Sequence, residues 1–508
     1  MAPVLDHRPA RFAALAGLWP GVTLSVLAAA VVLVPPVAYQ LSNFFFGWHD
    51  VGNYTRANYN FFEFGRFAIS SDGSGDFFAE QHFEPFFFLL CVPVRLFGTA
   101  GYVGAVTAAL VLAAGYVFAL ARTVTRSSWV AAFCAAAYVA NPYMCAIAMS
   151  YHPETFGILF LLAFAYHALQ DQSWRAWLAL LLAFTVKEDM WVYGVVVALL
   201  VGRRGRWRRT LAFAAAAVGY YVVAVQAIGG SLYPTANYFN SFYELDGRPH
   251  SKLQITVGLL GRWREFIPLL FTGTGLLFQV SFLFLGVFSG WRYLLACGVM
   301  LMWLTYPGGP PRTNFNYYYS YAGFLVSLVV LPFALVNLRE ACARAARRFG
   351  RLGPDRWGHW AVGVALGLVV LTGSVMHLPG YIPAPIEEMV DYRNMFGHPH
   401  RVNARTVRAL IENHLTDDDG SVLAQFYILP SIPQRRSMYV TLLQSRAFLD
   451  GKIAPTYVLL DLGADDPWTP PEDVRDMVAL LRRGDVYRPL YDARQVLLYK
   501  RVQKRGRE

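Results

Sequence analysis

Long apolar runs separated by short polar segments make up most of the chain. A membrane-spanning helix needs about 20 predominantly apolar residues. Runs near that length occur at residues 21–40, 211–228, 266–288, 323–338 and 360–376. Shorter or interrupted apolar runs lie between them. The pattern predicts an α-helical, multi-pass membrane protein, and we expect the first run to be an uncleaved span.

Beyond residue 378 the apolar runs become short and alternate with polar residues. This pattern is typical of a small soluble α/β domain. It predicts helices at 401–415 and 472–483 and strands at 421–429, 457–462 and 495–500. The sequence therefore predicts a transmembrane domain over residues 1–379 and a C-terminal α/β domain over residues 380–508.

Composition and charge support the membrane assignment and orient the spans. Hydrophobic residues make up 56% of the 508 residues and charged residues 15%, with a net charge of +11. Arginines concentrate in two short connections, 203–209 and 339–356, as cytoplasmic loops do. These clusters adjoin span ends, which argues against nucleic-acid binding. With these loops inside, the chain threads through about eleven spans, with a cytoplasmic N-terminus and an extracytoplasmic C-terminal domain.

The first exterior loop, residues 41–84, is long for a connection between spans. Loops of this length are usually functional or contain structure of their own. Residues 53–65 mix five aromatic side chains with polar ones, which favours a helix lying in the membrane interface. A second short apolar segment, broken by Pro93, ends near residue 98. We expect a second interfacial helix there.

Ionisable residues lie between the apolar spans, and the threading places them all on the exterior side. A charged side chain at the bilayer centre costs about 3 kcal/mol on insertion scales, so such residues usually face a cavity, a partner or a substrate. The set comprises His49, Asp50, His82, Glu84, His152, Glu154, Lys187, Glu188, Asp189 and Arg312. We predict that they form one site.

Asp50 is the strongest candidate for chemistry, because a carboxylate just beyond a span can deprotonate an attacking hydroxyl group. Lys187 and Arg312 would stabilise a leaving phosphate, and His82 and His152 would donate hydrogen bonds. Tyr318 belongs to a Tyr-Tyr-Tyr run that suits either the wall of a sugar site or an interfacial aromatic belt.

Each cluster also has a purely structural interpretation. Asp50 could cap the interfacial helix that begins near Val51. The Lys187 to Asp189 segment could be a solvated turn, and His152 and Glu154 could flank Pro153 at a helix start. No cofactor is required by any motif. The N/O-rich set could hold a divalent cation, but no HExxH or DxD pattern singles out a metal site, so metal dependence stays open.

The order of these features resembles the GT-C superfamily of membrane glycosyltransferases. The chain is more closely similar to a family of predicted membrane proteins named domain of unknown function 2079. The resemblance rests on the Asp50 segment through Tyr54, the His82 segment through Gly98, residues 151–154, residues 186–189 and residues 457–461.

The GT-C resemblance implies a plasma-membrane or inner-membrane enzyme that transfers a sugar with inversion. The donor would be a polyprenyl-phosphate sugar, the acceptor a glycan, lipid or protein on the exterior face, and the base would be Asp50. Two other functions remain open on sequence: a transporter or flippase of a lipid-linked or small polar substrate, and a non-catalytic envelope assembly protein. Intramembrane ionisable residues mark transport pathways as well as catalytic sites.

Overall fold

The structure is a computed structural model of a largely helical chain. It describes residues 18–43, 48–65, 84–141, 151–202, 206–224, 288–304, 321–349, 403–416, 420–425, 428–432, 438–463 and 469–502, with a few isolated positions. The chain divides into two compact units. Unit 1 comprises residues 1–34, 78–86 and 106–391, and unit 2 comprises residues 35–77, 87–105 and 392–508.

The described part of the chain before residue 350 is helical, and most of its helices are apolar along most of their length. In chain order they are α1 (Trp19–Asn43), α2 (Trp48–Phe64), α3 (Phe87–Thr125), α4 (Ser128–Val139), α5 (Glu154–Leu169), α6 (Ser173–Val186), α7 (Met190–Val201), α8 (Trp207–Tyr220), α9 (Trp291–Leu304) and α10 (Tyr321–Phe349). Within the described ranges, three stretches are long and apolar enough to cross a membrane: Trp19–Tyr39, Phe87–Thr125 and Tyr321–Arg348. The total of eleven spans and their orientation remain predictions.

Unit 1 contains a tightly packed helical body. Helix α5 packs against α6, α7 packs against α8, and α10 contacts both α5 and α7. Leu161, Leu162, Phe164 and Leu180 are fully buried there. Gly157 on α5 lies directly against Met190 on α7, because a Cβ at that position would approach the Met190 sulfur to 2.6 Å. This close packing fixes the ends of α5, α6 and α7, where the candidate site lies.

Two helices fall in the region predicted to contain interfacial helices. Helix α2 covers Trp48–Phe64, and α3 begins at Phe87. Gly98 interrupts α3 with φ 57°, so the segment before it is a separate short helix, as the sequence predicts. Only glycine adopts this left-handed conformation without steric cost. The chain changes direction here before continuing as the long span.

Replacing Gly101 with alanine should destabilise this bend. A Cβ on Gly101 would overlap the carbonyl oxygen of Pro93, a backbone atom that cannot move independently of the helix. Overpacking of this kind costs about 1–3 kcal/mol. We expect Gly101→Ala to lower the thermal unfolding midpoint of the protein in detergent.

Gly104 provides the matched control in the same helix. A Cβ at Gly104 meets no atom of the described residues within 4 Å. Alanine there should leave the midpoint unchanged or raise it, since alanine is favoured over glycine in helices by up to about 1 kcal/mol. Equal midpoints for the two variants would contradict the close approach at Pro93.

The C-terminal part of the chain forms a five-stranded mixed sheet with flanking helices. Its elements are α11 (Ala404–His414), β1 (Val422–Ala424), a 3₁₀ turn (Leu429–Ser431), β2 (Met438–Val440), α12 (Thr441–Leu449), β3 (Tyr457–Asp461), α13 (Pro471–Arg482), β4 (Tyr487–Ala493) and β5 (Val496–Arg501). The strand order is β2-β1-β3-β5-β4. Strand β1 pairs in parallel with β2 and β3, and β5 pairs antiparallel with β3 and β4.

Alternating side chains of the strands bury two separate cores, one on each face of the sheet. Val422 and Leu459 pack with Val407 and Ile411 of α11 on one face. The other face packs Val458 and Leu460 against residues of α12 and α13 such as Phe448, Met477 and Leu481. Residues on one strand alternate between faces, which explains this division. The predicted α/β character of the C-terminal region is thus present.

Candidate functional site

A buried ion pair joins two of the clusters predicted from sequence. Lys187 Nζ lies 2.6 Å from Glu154 Oε1, and His152 Nδ1 lies 3.3 Å from Glu154 Oε2. All three residues are at most 6% exposed. A buried charge is tolerated when it is paired, so Glu154 and Lys187 stabilise each other in unit 1.

Helix ends place these side chains. Glu154 is the first residue of α5, where a carboxylate is stabilised by the helix dipole. The Thr155 hydroxyl donates to the His152 carbonyl (2.9 Å) and fixes the turn before the helix. Helix α6 ends at Val186, and Lys187 is extended with φ −160°. The chain leaves α6 at this point and directs Lys187 toward Glu154.

A second group of contacts involves the carboxylate of Asp189, which precedes α7. The Tyr321 hydroxyl at the start of α10 donates to Asp189 Oδ2 at 2.7 Å, and the Tyr193 hydroxyl lies 3.4 Å from the same oxygen. Both tyrosines are buried. Sequence reasoning selected Tyr318 instead and missed these two. Spacing was a signal for Tyr193, which follows Asp189 by one helical turn, whereas the approach of Tyr321 depends on the packing of helices distant in sequence.

Glu84 is completely buried, and neither of its carboxylate oxygens has a hydrogen-bond partner among the residues that the structure describes. Its segment is fixed nearby. The Phe86 N–H donates to the Thr185 carbonyl (2.8 Å), and the Phe86 ring packs on Phe156 with centroids 4.6 Å apart. These contacts attach the Glu84 segment to the end of α6 and the start of α5. Glu84 therefore belongs to the same group of side chains.

The group has an excess of negative charge. Among the described residues, four carboxylates act on the Lys187 ammonium, those of Glu84, Glu154, Glu188 and Asp189, which gives a formal charge of −3 when all are ionised and His152 is neutral. Burial, and then the charge of Glu154, raises the pKa of Glu84 well above its usual range. Burial likewise raises the pKa of Asp189 to about 6. Protons or a bound cation would relieve this excess.

Lys187 retains hydrogen-bonding capacity for a ligand. An ammonium has three N–H donors, and the bond to Glu154 uses one. Burial lowers the pKa of Lys187, but Glu154 and the other carboxylates raise it further, so that the net shift is well above the usual value. Lys187 is therefore a permanent cation that could contact an anionic group.

Asp50 lies in unit 2, as the third residue of α2. This helix is unusually polar for a buried one: Thr55, Asn58 and Asn60 are fully buried, and Arg56 is 7% exposed. Aromatic contacts hold it against the first part of α3, with the Tyr54 ring 5.1 Å from Phe87. The segment with the predicted base is thus a well-packed helix.

The remaining predicted residues are described only in part. The helical backbone at His49 and Asp50 is described, but their side chains are not. His82, Arg312 and Tyr318 lie outside the described residues. The structure brings together Glu84, His152, Glu154, Lys187 and Asp189, while the union of these residues with Asp50 stays a prediction. Among the described residues, no three His, Cys, Asp or Glu side chains are arranged as a metal site.

Several solved structures are similar to this chain. ArnT from Cupriavidus metallidurans bound to undecaprenyl phosphate matches with a TM-score of 0.52 and 16% identity, covering 95% of this chain and 98% of that one. Its apo structure gives a TM-score of 0.46 at 15% identity over the same shares. Oligosaccharyltransferase AglB from Archaeoglobus fulgidus, in complex with an inhibitory peptide and a dolichol-phosphate, gives 0.46 and 12% identity, with 95% and 74% covered.

The likeness to undecaprenyl-phosphate-bound ArnT is one of fold. No curated protein has significant sequence similarity to this chain. A family model described as a predicted membrane protein, domain of unknown function 2079, matches residues 49–498. That range includes all but the first residue of α2, the acidic group and nearly all of the C-terminal sheet. The chain therefore belongs to this family of membrane proteins.

Proposed function

We propose that this protein is a membrane glycosyltransferase. It transfers a sugar from a polyprenyl-phosphate donor to a glycan, lipid or protein acceptor on the extracytoplasmic face, with inversion. In this proposal the chain crosses the membrane about eleven times, and the N-terminus is cytoplasmic. The C-terminal domain lies on the same side as the reaction.

The observation that most supports this function is the fold. The similarity to ArnT extends over 95% of this chain and 98% of that enzyme, whose structure contains undecaprenyl phosphate. A polyprenyl-phosphate ligand fits a chain of this kind, because its tail stays in the bilayer while its phosphate reaches the interface. The ionisable residues predicted for the exterior side suit the recognition of such a phosphate.

The proposed reaction forms one bond to the anomeric carbon of the sugar and breaks another. The acceptor hydroxyl attacks the anomeric carbon while its proton passes to the Asp50 carboxylate. The bond between the anomeric carbon and the phosphate oxygen breaks, and the polyprenyl phosphate leaves with the bonding electrons. Attack from the opposite face inverts the anomeric configuration. Positive charge near the phosphate lowers the barrier.

The buried group in unit 1 serves donor recognition in this proposal. Lys187, His152, His82 and Arg312 contact the phosphate or the sugar, and Tyr318 packs on the sugar. Glu154, which is bonded to Lys187 and whose other carboxylate oxygen lies 3.3 Å from His152 Nδ1, holds these two groups in position. Glu188, Asp189 and Glu84 balance the cations or bind polar groups of the donor, and His49 supports Asp50.

The test is a comparison of envelope glycans and lipid-linked sugars in cells with the wild-type protein, a deletion or Asp50→Asn. The substitution removes the base and nearly preserves shape. We expect one glycan to disappear in both mutants while a lipid-linked donor accumulates. A positioned base contributes about 10²–10⁴ in rate, so residual product should be below about 1%.

Asp450→Asn is the matched control, because Asp450 is an exposed carboxylate whose ion-pair partner, Lys452, is also exposed. It should leave the glycans unchanged, and all variants must be present in equal amounts in the membrane. Wild-type glycans in Asp50→Asn, together with a defect in the deletion, would exclude Asp50 as the base. In that case a transporter or assembly function would be favoured.

A further inference from the structure

The C-terminal end of α1 receives a side chain from the C-terminal sheet domain. Arg408 Nη2 on α11 donates to the carbonyl oxygens of Leu41 (3.0 Å) and Ser42 (2.8 Å). Both ends of this interaction lie within unit 2. The two carbonyls are separated from Arg408 by more than 360 residues of chain.

This contact satisfies a specific need of the helix. The last four carbonyls of an α-helix lack partners within the helix, and its C-terminus has a partial negative charge. A guanidinium group supplies both hydrogen-bond donors and positive charge. Helix α1 ends at Asn43 with no basic residue in its own last turn. Arg408 therefore provides the cap that the α1 sequence lacks.

A second contact from the same domain reaches the next helix. The 3₁₀ turn at Leu429–Ser431 packs against α2. Helix α2 begins at Trp48, five positions after α1 ends at Asn43, and Asp50 is in its first turn. The sheet domain thus contacts the chain on both sides of the short connection that leads to Asp50.

The first part of α3 also packs against α2. The Phe61 ring lies 5.2 Å from Phe88, the Tyr54 ring lies 5.7 Å from Tyr102, and Cys91 Sγ donates to Asn58 Oδ1 at 3.0 Å. These contacts involve the middle and end of α2. Asp50 lies in the first turn of α2, ahead of the residues that make these contacts.

We infer that the C-terminal domain holds the Asp50 segment in its working position, with Arg408 as the positioning residue. Arg408 acts on the end of α1 and thereby on the start of α2, without contact with a reacting atom. The inference rests on the proposed function only for the role of Asp50. The effect of Arg408 on the order of the start of α2 can be measured whether or not the protein is a transferase.

The experiment compares full-length wild-type protein with Arg408→Ala, Arg408→Lys and Arg405→Ala in the same detergent. Arg405 is an exposed residue of the same helix, so its replacement controls for the loss of a surface arginine. Amide hydrogen exchange is followed in peptides that contain residues 36–43 and 48–56. Glycan product is measured in the corresponding cells.

In Arg408→Ala we expect exchange in these two peptides to be about 10-fold faster or more, since a hydrogen bond to a charged group is lost. Exchange in the β3 peptide should stay at the wild-type rate. The exchange rates of Arg408→Lys should lie between those of wild type and Arg408→Ala, because lysine keeps the positive charge but lacks the planar guanidinium with its several N–H donors. Cells with Arg408→Lys should make more glycan product than cells with Arg408→Ala. Arg405→Ala should match wild type in both measurements.

Unchanged exchange at the end of α1 and the start of α2 in Arg408→Ala would overturn the inference, whatever the activity. Faster exchange throughout the protein in both alanine and lysine variants would do the same, since it would reveal general destabilisation. If Asp50→Asn is fully active, the proposed function fails. The exchange comparison would still decide whether Arg408 orders this segment.

Discussion

Lys187→Met should strongly reduce the stability of the protein and its amount in the membrane. The substitution leaves Glu154 buried without its cation, next to three further carboxylates. Removing one partner of a buried pair costs about 3–5 kcal/mol. This loss is comparable with the whole stability of many domains. The thermal unfolding midpoint in detergent and the membrane level by immunoblot would measure it.

The chain contains a matched control for this substitution. Lys452 pairs with Asp450 at 2.9 Å, but both side chains are more than half exposed. Exposed pairs contribute about 0–1 kcal/mol, so Lys452→Met should behave as wild type. Adding Glu154→Gln to Lys187→Met should recover part of the loss by removing the uncompensated charge. A Lys187→Met protein as stable as wild type would show that the carboxylates are balanced in another way.

Gln425→Leu should unfold the C-terminal sheet domain more readily than any substitution on its surface. The Gln425 side chain forms two hydrogen bonds with the backbone of Asp461. Gln425 Nε2 donates to the Asp461 carbonyl oxygen (3.1 Å), and the Asp461 backbone N–H donates to Gln425 Oε1 (2.6 Å). Both residues are buried at the ends of adjacent strands. Leucine would remove both of these buried hydrogen bonds, at about 1–3 kcal/mol each.

Limited proteolysis of the full-length protein would report this effect, with faster cleavage within residues 403–502 as the expected result. Gln170→Leu is a suitable control, because Gln170 is exposed and its side chain donates to the hydroxyl of Thr123. Its cleavage pattern should match wild type. Equal protection of the Gln425→Leu domain would mean that the bonds to Asp461 contribute little.

Much of the C-terminal domain could be predicted from local sequence pattern. The helix expected at 401–415 is Ala404–His414, and the strand expected at 457–462 is Tyr457–Asp461. Both have a clear apolar periodicity. Strand β2 was missed because it has only three residues. Strand β4 was missed because it contains Pro489 and is mostly exposed, so its pairing with β5 decides its conformation.

The sequence predicts which residues belong to the candidate site better than it predicts which of them bond to one another. Charged residues between apolar runs identified Glu84, Glu154, Lys187 and Asp189, since burial of such groups needs a compensating interaction. Which partner each one takes depends on the packing of α5, α6, α7 and α10. This packing comes from contacts between elements distant in sequence, as in the bond from Tyr321 to Asp189. Sequence spacing alone could not reveal it.

The bond from Arg408 to Ser42 spans 366 residues of chain, and this separation has a consequence for synthesis. A ribosome adds about 5–20 residues per second, so roughly 20–70 s pass between the emergence of the two partners. During that interval the end of α1 has no cap from the C-terminal domain. In the inference above, the Asp50 segment would therefore reach its working position only after the C-terminal domain has been made and folded.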